Sequence, residues 1–314
     1  MKKISIRIPC FNEQENIRAI CEAVIKQINS LPSYTYEILI IDNKSTDKTR
    51  DIIRELCAEN KNIKAIFNIK NFGQFNSPYY GLMQCTGDCV ISMCADFQNP
   101  PELIPIMIKK WEEGNKVICM VKTSSDENKL IYYARECYYR LIKKMSEVDQ
   151  IKQFTGFGLY DRSFIEILRL LKDPCPFFRG IVAEYAPDHL EISFKQPKRR
   201  AGKTHNNFYS LYDAAMLSFT SYTKAGLRII TFGGFIVSLL SFAVALVYLV
   251  LKLYNWHSFK AGIAPVTIGV FFMGGLQLSA LGFLGEYILS MNQRIMNKPL
   301  VIEEERINFS EEEN

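Results

Sequence analysis

Two uncharged apolar runs, Ile229–Leu251 and Ile263–Leu284, constrain this chain more than any other feature. Each is close to the roughly 20 residues a helix needs to cross a hydrocarbon core, so two transmembrane helices are expected. An even number of crossings leaves both flanking segments on one side. Lys224, Arg228, Arg294 and Lys298 flank the pair, against Lys252 and Lys260 beside the short connection, which assigns the flanking segments to the cytoplasm. Gly233, Gly234, Gly274 and Gly275 could let helices approach closely, within the chain or in a homo-oligomer.

Before these runs the chain reads as an ordinary α/β protein. Apolar stretches at Ile4–Pro9, Glu37–Ile41, Ile63–Phe67, Cys89–Met93 and Lys116–Val121 predict strands. Amphipathic stretches at Glu15–Asn29, Lys48–Glu59, Asn76–Gln84 and Glu102–Glu113 predict the helices between them. The alternation implies a mostly parallel sheet, with ligands at the carboxyl ends of its strands. Phe208–Tyr222 is rich in aromatics at helical spacing and suits a helix lying in the membrane interface. The acidic tail Glu303–Asn314 reads as solvated and partly disordered.

Composition narrows the function classes. A net charge of +5 without a long basic stripe argues against a nucleic-acid partner. The local basic cluster Lys195, Lys198, Arg199, Arg200 and Lys203 precedes the first apolar run, where it can face phosphates or anionic headgroups. Nine cysteines include no CxxC pair, so neither a disulfide framework nor a zinc site is expected. Arg7, Asn12, Glu13 and Glu15 interrupt the first apolar stretch, so no secretory signal is expected there.

Polar residues gather at the predicted strand ends. Pro9–Glu13 follows the first strand and Asp42–Asp47 the second; Asp42 can accept hydrogen bonds from a base or ribose, and Asn12 or Asn43 can add amide contacts. No GxGxxG follows either strand, which argues against a dinucleotide cofactor. Asp47 fits a helix cap. After the fourth strand, Asp96 and Gln98 could offer oxygen ligands to Mg²⁺ or Mn²⁺ completed by diphosphate and water.

In this order, Pro9–Glu13, Asp42–Asp47, Asn71-Phe72-Gly73, Thr86-Gly87-Asp88, Asp96–Leu103, Phe178-Arg179-Gly180 and Arg200–Thr204 closely resemble family 2 glycosyltransferases of the polyprenyl-phosphate type, relatives of dolichol-phosphate mannose synthase and the bactoprenol glucosyltransferases. The resemblance covers nearly the whole chain. It implies a GT-A (Rossmann-like) catalytic domain over residues 1–205, an amphipathic juxtamembrane helix over 206–226, a two-helix membrane region over 227–292 and a cytoplasmic tail over 293–314. It also implies an inner (plasma) membrane protein, a nucleotide-diphosphate sugar donor, a divalent metal, and transfer with inversion to a polyprenyl phosphate, giving a lipid-linked sugar for surface glycan assembly.

Carried over residue by residue, the resemblance implies that Pro9, Asn12, Glu13, Asp42, Asn43 and Asn71 hold the nucleotide sugar. Asp96 and Gln98 would hold metal and diphosphate, and Arg179, Arg200 and Lys203 the acceptor phosphate. Three departures stand out: Asn43 and Cys94 replace commonly acidic residues, and Gly156 replaces the acid expected as general base. A phosphate monoester, with a second pKa of about 6, needs no strong base; if one acts, Asp161 and Glu184 are the candidates. Two other readings remain: the same fold acting on another lipid or glycan, and a degenerate nucleotide-sugar-binding membrane scaffold.

Overall fold

Alternation along the first strands decides the layering. The structure is a computed structural model and describes residues 1–123, 148–202, 208–223, 225–254 and 263–310. Strands β1 (Lys2–Cys10), β2 (Tyr34–Asp42), β3 (Ile63–Asn68) and β4 (Cys89–Ser92) are parallel and lie in the order β3-β2-β1-β4. Ile4, Ile6, Ile8, Ile38 and Ile40 enter one core with helices α1 (Ile17–Asn29), α2 (Thr49–Glu59) and α4 (Ile104–Glu112). Leu39, Ile41 and Ile66 enter the other, with α3 (Gly73–Gln84), α5 (Arg162–Leu171) and α6 (Phe178–Tyr185). Helix α1 shows the logic: its buried positions Ile17, Ile20, Cys21, Val24 and Ile28 form one apolar stripe.

The sheet continues on both sides. Strand β6 (Phe154–Asp161) lies antiparallel between β4 and β5 (Val117–Lys122), and β7 (Leu190–Phe194) pairs with β5 in parallel. Because β2 and β4 flank β1 on opposite sides, the crossovers diverge there and open a crevice beyond the carboxyl ends of β1 and β4. This is the GT-A arrangement expected from the sequence.

The opposite, amino end of the parallel strands is fastened by a buried carboxylate. Glu37 accepts hydrogen bonds from Ser5 Oγ and from the Thr86 N–H and hydroxyl, and pairs with Lys3 and Lys64 at 2.9 Å each. Burial alone would push this carboxyl up, but the bonds from Ser5, Lys3, Thr86 and Lys64 outweigh it and bring it down to about 2. A carboxyl that binds its proton less readily when folded stabilises the fold fully above the ordinary 4.5, and that contribution disappears as pH falls toward 2. Glu37→Gln is therefore expected to cost on the order of 3 kcal/mol at neutral pH. Thermal unfolding of the two proteins at pH 7 and pH 3 checks this, since the gap should shrink at the lower pH.

Helix α7 (Phe208–Tyr222) forms over the residues expected, and α8 (Ala225–Tyr254) and α9 (Ile263–Met296) are both long and apolar enough to cross a membrane. Ile229, Phe232, Phe235, Leu239 and Phe242 of α8 are exposed, as are Phe271, Phe272, Leu278 and Leu281 of α9. Such an apolar surface suits lipid rather than water. Among the described residues outside the glycine's own stretch of helix, none lies within 4 Å of a Cβ built at Gly233, Gly234, Gly274 or Gly275, so these glycines make no close contact between the two helices there. The helices meet lower down, where Gly226 packs against Phe283.

Beyond the apolar run, α9 packs against α7 and reaches the segment between α5 and α6. Tyr212 donates to Glu286 at 2.8 Å, Tyr287 to the Thr223 carbonyl at 3.0 Å, and Arg294 to Asp173 at 2.7 Å and Ser221 at 3.0 Å. The acidic tail departs from the solvated reading, because Glu303–Ile307 forms β8, antiparallel to β3 at the sheet edge. Glu304 meets Lys44 and Arg50, and Glu305 meets Arg54. Basic residues from distant segments turn an apparently solvated charge run into a strand.

Candidate active site

Three strand ends facing the crevice turn through residues in the left-handed region: Asn12 (φ 56°), Lys44 (φ 66°) and Phe97 (φ 63°). Asparagine tolerates this conformation and a bulky phenylalanine does not, so the last turn needs outside support. Arg200 supplies it, with its guanidinium 5.0 Å above the Phe97 ring and its N–H donating to the Asp96 carbonyl.

The β1 and β2 turns are tied together by the residues expected to contact a nucleotide. Asn12 donates from its backbone to Ser45 Oγ and accepts from the Thr46 N–H at 2.8 Å. Asp42 is fully buried, accepts from the Ser45 N–H and lies 3.1 Å from Arg50 Nε. Burial raises its carboxyl, against the pull of Ser45 and Arg50. Asn43 donates to Asn71 Oδ1 and the Gly73 carbonyl, and accepts from the Phe72 N–H and Asn68. A carboxylate could not make those two donations, which gives the departure at position 43 a structural reason. Asn71 itself is exposed and braces the turn through the Gly73 N–H.

The charged centre is a bridge that the sequence reading missed. Arg199 pairs through Nη2 with Glu13 Oε1, and its Nη1 lies 3.6 Å from Asp96 Oδ2. Asn16 donates to the other Glu13 oxygen at 2.7 Å, and burial raises the Glu13 carboxyl despite Asn16 and Arg199. Asp96 Oδ1 accepts from the Gln98 N–H at 3.1 Å. A single arginine thus joins the ends of β1 and β4.

No group of three His, Cys, Asp or Glu side chains that could hold a metal occurs among the described residues. The oxygens at the β4 end are the Asp96 carboxylate, which accepts from the Gln98 N–H and lies 3.6 Å from Arg199, and the side-chain carbonyl of Gln98. Two hard oxygens fit a cation that takes its remaining ligands from phosphates and water. Cys94 adds no thiolate: although the residue borders the cleft, desolvation and then Asp96 push its thiol up to about 11.

Beside this centre lies a cavity of about 180 Å³, lined among others by Arg7, Pro9, Ser92, Cys94, Gly156 and Arg179. Arg179 stacks 5.3 Å from the Phe177 ring. Gly156 has φ 92°, a backbone conformation that an acidic side chain would adopt only with strain, although a Cβ there would meet the Phe178 ring at an ordinary 3.4 Å. The two candidate bases are elsewhere. Asp161 pairs in register with Cys89 at the start of β4, at the amino end of the parallel strands, where it caps α5 through Ser163 and accepts from Trp111 Nε1 at 2.7 Å. Antiparallel β6 carried it away from the crevice. Glu184 is exposed on α6 and does not line the cavity. Lys203 lies outside the described residues.

Residues 5–169 match the family described as glycosyl transferase family 2. The chain is 30% identical over 302 residues to an uncharacterized glycosyltransferase of Synechocystis, covering 96% of this chain and 94% of the relative. It is 29% identical over 287 residues to the prophage bactoprenol glucosyl transferase homolog of Escherichia coli, covering 91% and 93%. Against the SfII prophage-derived bactoprenol glucosyl transferase of Shigella flexneri the identity is 29% over 301 residues, covering 96% and 97%.

Proposed function

Because the chain belongs to glycosyl transferase family 2, we propose that it moves a sugar from a nucleotide-diphosphate sugar to a polyprenyl phosphate at the cytoplasmic face of the plasma membrane. The observation that carries this reading is that similarity to bactoprenol glucosyl transferases spans 91–96% of the chain, apolar helices included. Residues 1–205 form the catalytic unit, 206–226 the juxtamembrane helix and 227–292 the membrane region, with β8 in the returning tail. An acceptor lipid held among α7, α8 and α9 would present its phosphate to the crevice.

Asn12, Asp42 and Asn43 shape the turns that receive the nucleotide, and Glu13 and Arg199 border its diphosphate. The acceptor phosphate is largely dianionic near pH 7, so one of its oxygens attacks the anomeric carbon directly while the bond to the diphosphate breaks on the opposite face. The electron pair leaves with the diphosphate, whose charge Arg199 stabilises. Asp96 and Gln98 would hold Mg²⁺ or Mn²⁺, which when bound would supply positive charge to the same departing group. Inversion follows from the single displacement.

The test is product formation from a panel of UDP-, GDP- and TDP-sugars with membranes, undecaprenyl phosphate and either metal. One donor is expected to give a labelled lipid that mild acid releases. Intact nucleotide binding with no labelled lipid from any donor would overturn the lipid-phosphate acceptor.

A further inference from the structure

The innermost charge of the cavity has no role in the chemistry above. Arg7 is 5% exposed, on the face of β1 that packs against α3, and its stem passes so close to Gly81 that a Cβ there would lie 3.3 Å from Arg7 Cγ. Its guanidinium donates to Ser92 Oγ, and its Nε is buried without a hydrogen-bond partner. No carboxylate pairs with it among the described residues. Cys94, Cys85 and Tyr160 are the polar groups nearest to it in effect, and burial holds the Cys85 and Tyr160 protons well above neutral pH. Gly156, which shares the cavity, supplies no countercharge.

An arginine remains charged under these conditions, and an uncompensated buried charge is costly. Its hydrogen-bond donors lie against a cavity that also admits Arg179 and is walled by Tyr79 and Leu82, where a charge-assisted contact gains strength from the apolar surroundings. We propose that the cavity floor is an oxyanion subsite, in which Arg7 takes a carboxylate or phosphate oxygen carried by a substrate, with Ser92 orienting the guanidinium and Arg179 at the mouth. The oxyanion belongs either to an acidic sugar on the donor or to the acceptor phosphate. The assignment of these two sources rests on the transferase reading; the anion subsite itself does not.

The variant is Arg7→Met, which keeps the unbranched stem and removes the charge, examined in the full chain in detergent. Thermal unfolding with added inorganic phosphate, against chloride at equal ionic strength, reads the subsite without turnover. Phosphate should stabilise the wild type and not Arg7→Met, and the variant without phosphate should be at least as stable as the wild type, since a buried uncompensated charge has gone. Arg7→Lys should recover part of the phosphate response.

Kinetics then separate the sources. If the donor carries the anion, wild type prefers UDP-hexuronates to neutral UDP-hexoses, and Arg7→Met loses about 10- to 100-fold of that preference with the KM for undecaprenyl phosphate unchanged. If the acceptor carries it, that KM rises by about the same factor with every donor. A phosphate response equal in wild type and Arg7→Met, absent from both, or accompanied by clear destabilisation of the variant, overturns the subsite and leaves Arg7 as a structural residue. An Arg7-dependent phosphate response without transfer or donor hydrolysis would leave the subsite standing and remove the transferase reading.

Discussion

Asp96→Asn is expected to lower turnover by about 10²- to 10³-fold, the usual loss when one preorganised charge-stabilising group is removed, while leaving the fold in place. The reasons are local. The Asp96 oxygen that accepts from the Gln98 N–H at 3.1 Å has an equivalent in the asparagine side chain, so the β4 turn keeps its bond. The other oxygen, 3.6 Å from Arg199 Nη1, loses its charge and its affinity for a cation. Arg199 then retains only Glu13. Steady-state transfer with the preferred donor, run beside a thermal unfolding curve, separates the two consequences. A large fall in kcat with an unfolding midpoint within a few degrees of wild type is expected. Wild-type turnover would remove Asp96 from the diphosphate end of the site, and a collapsed midpoint would make its role structural.

The central sheet was legible because its evidence is local. Ile4, Ile6 and Ile8 alternate with Ser5 and Arg7, and the helices between strands carry apolar residues at helical spacing, so β1 to β5 and α1 to α4 follow from periodicity alone. Direction in space is another matter. Asp161 is a candidate base on sequence grounds, and only the antiparallel pairing of β6 with β4 sends it to the opposite end of the sheet. Strand β8 was hidden for a related reason. Its acidic residues look solvated until Lys44, Arg50 and Arg54, more than two hundred residues earlier, come beside them.

Within the site, residue type was easier to read than orientation. Arg199 and Arg200 are neighbours in one basic run, and the backbone sends the first to Glu13 and Asp96 and the second over Phe97. The charge of the run was visible, but which member faces the carboxylates depends on backbone geometry that charge spacing does not encode. Arg7 interrupts an otherwise apolar strand, and that interruption was the available signal for a buried cation. It becomes meaningful only once Ser92 and the cavity are in view. Asn43 shows the reverse case: an apparent loss of acidity proves to be a four-way hydrogen-bond node that a carboxylate could not reproduce.

The largest expected loss of stability comes from a single methyl group at Gly158. This residue pairs with Ser92 on one side and Cys119 on the other, in the strand that joins the parallel core to the β5–β7 edge. A Cβ built there would lie 2.1 Å from the Ile118 carbonyl oxygen, a backbone atom that cannot turn aside as a side chain would. Relief requires β5 and β6 to separate, which also disturbs Thr155, Gly156 and Phe157 on the cavity wall. Gly158→Ala should therefore cost at least about 3 kcal/mol, the upper end for overpacking a well-filled core, equivalent to roughly 6–12 °C in the unfolding midpoint of a domain of this size. Gly274→Ala serves as the control, because a Cβ there meets nothing within 4 Å and sits in a helix. Thermal unfolding of both variants in the same detergent decides the matter: a Gly158→Ala midpoint indistinguishable from that of Gly274→Ala would mean that β5 and β6 are not held as tightly as the contact requires.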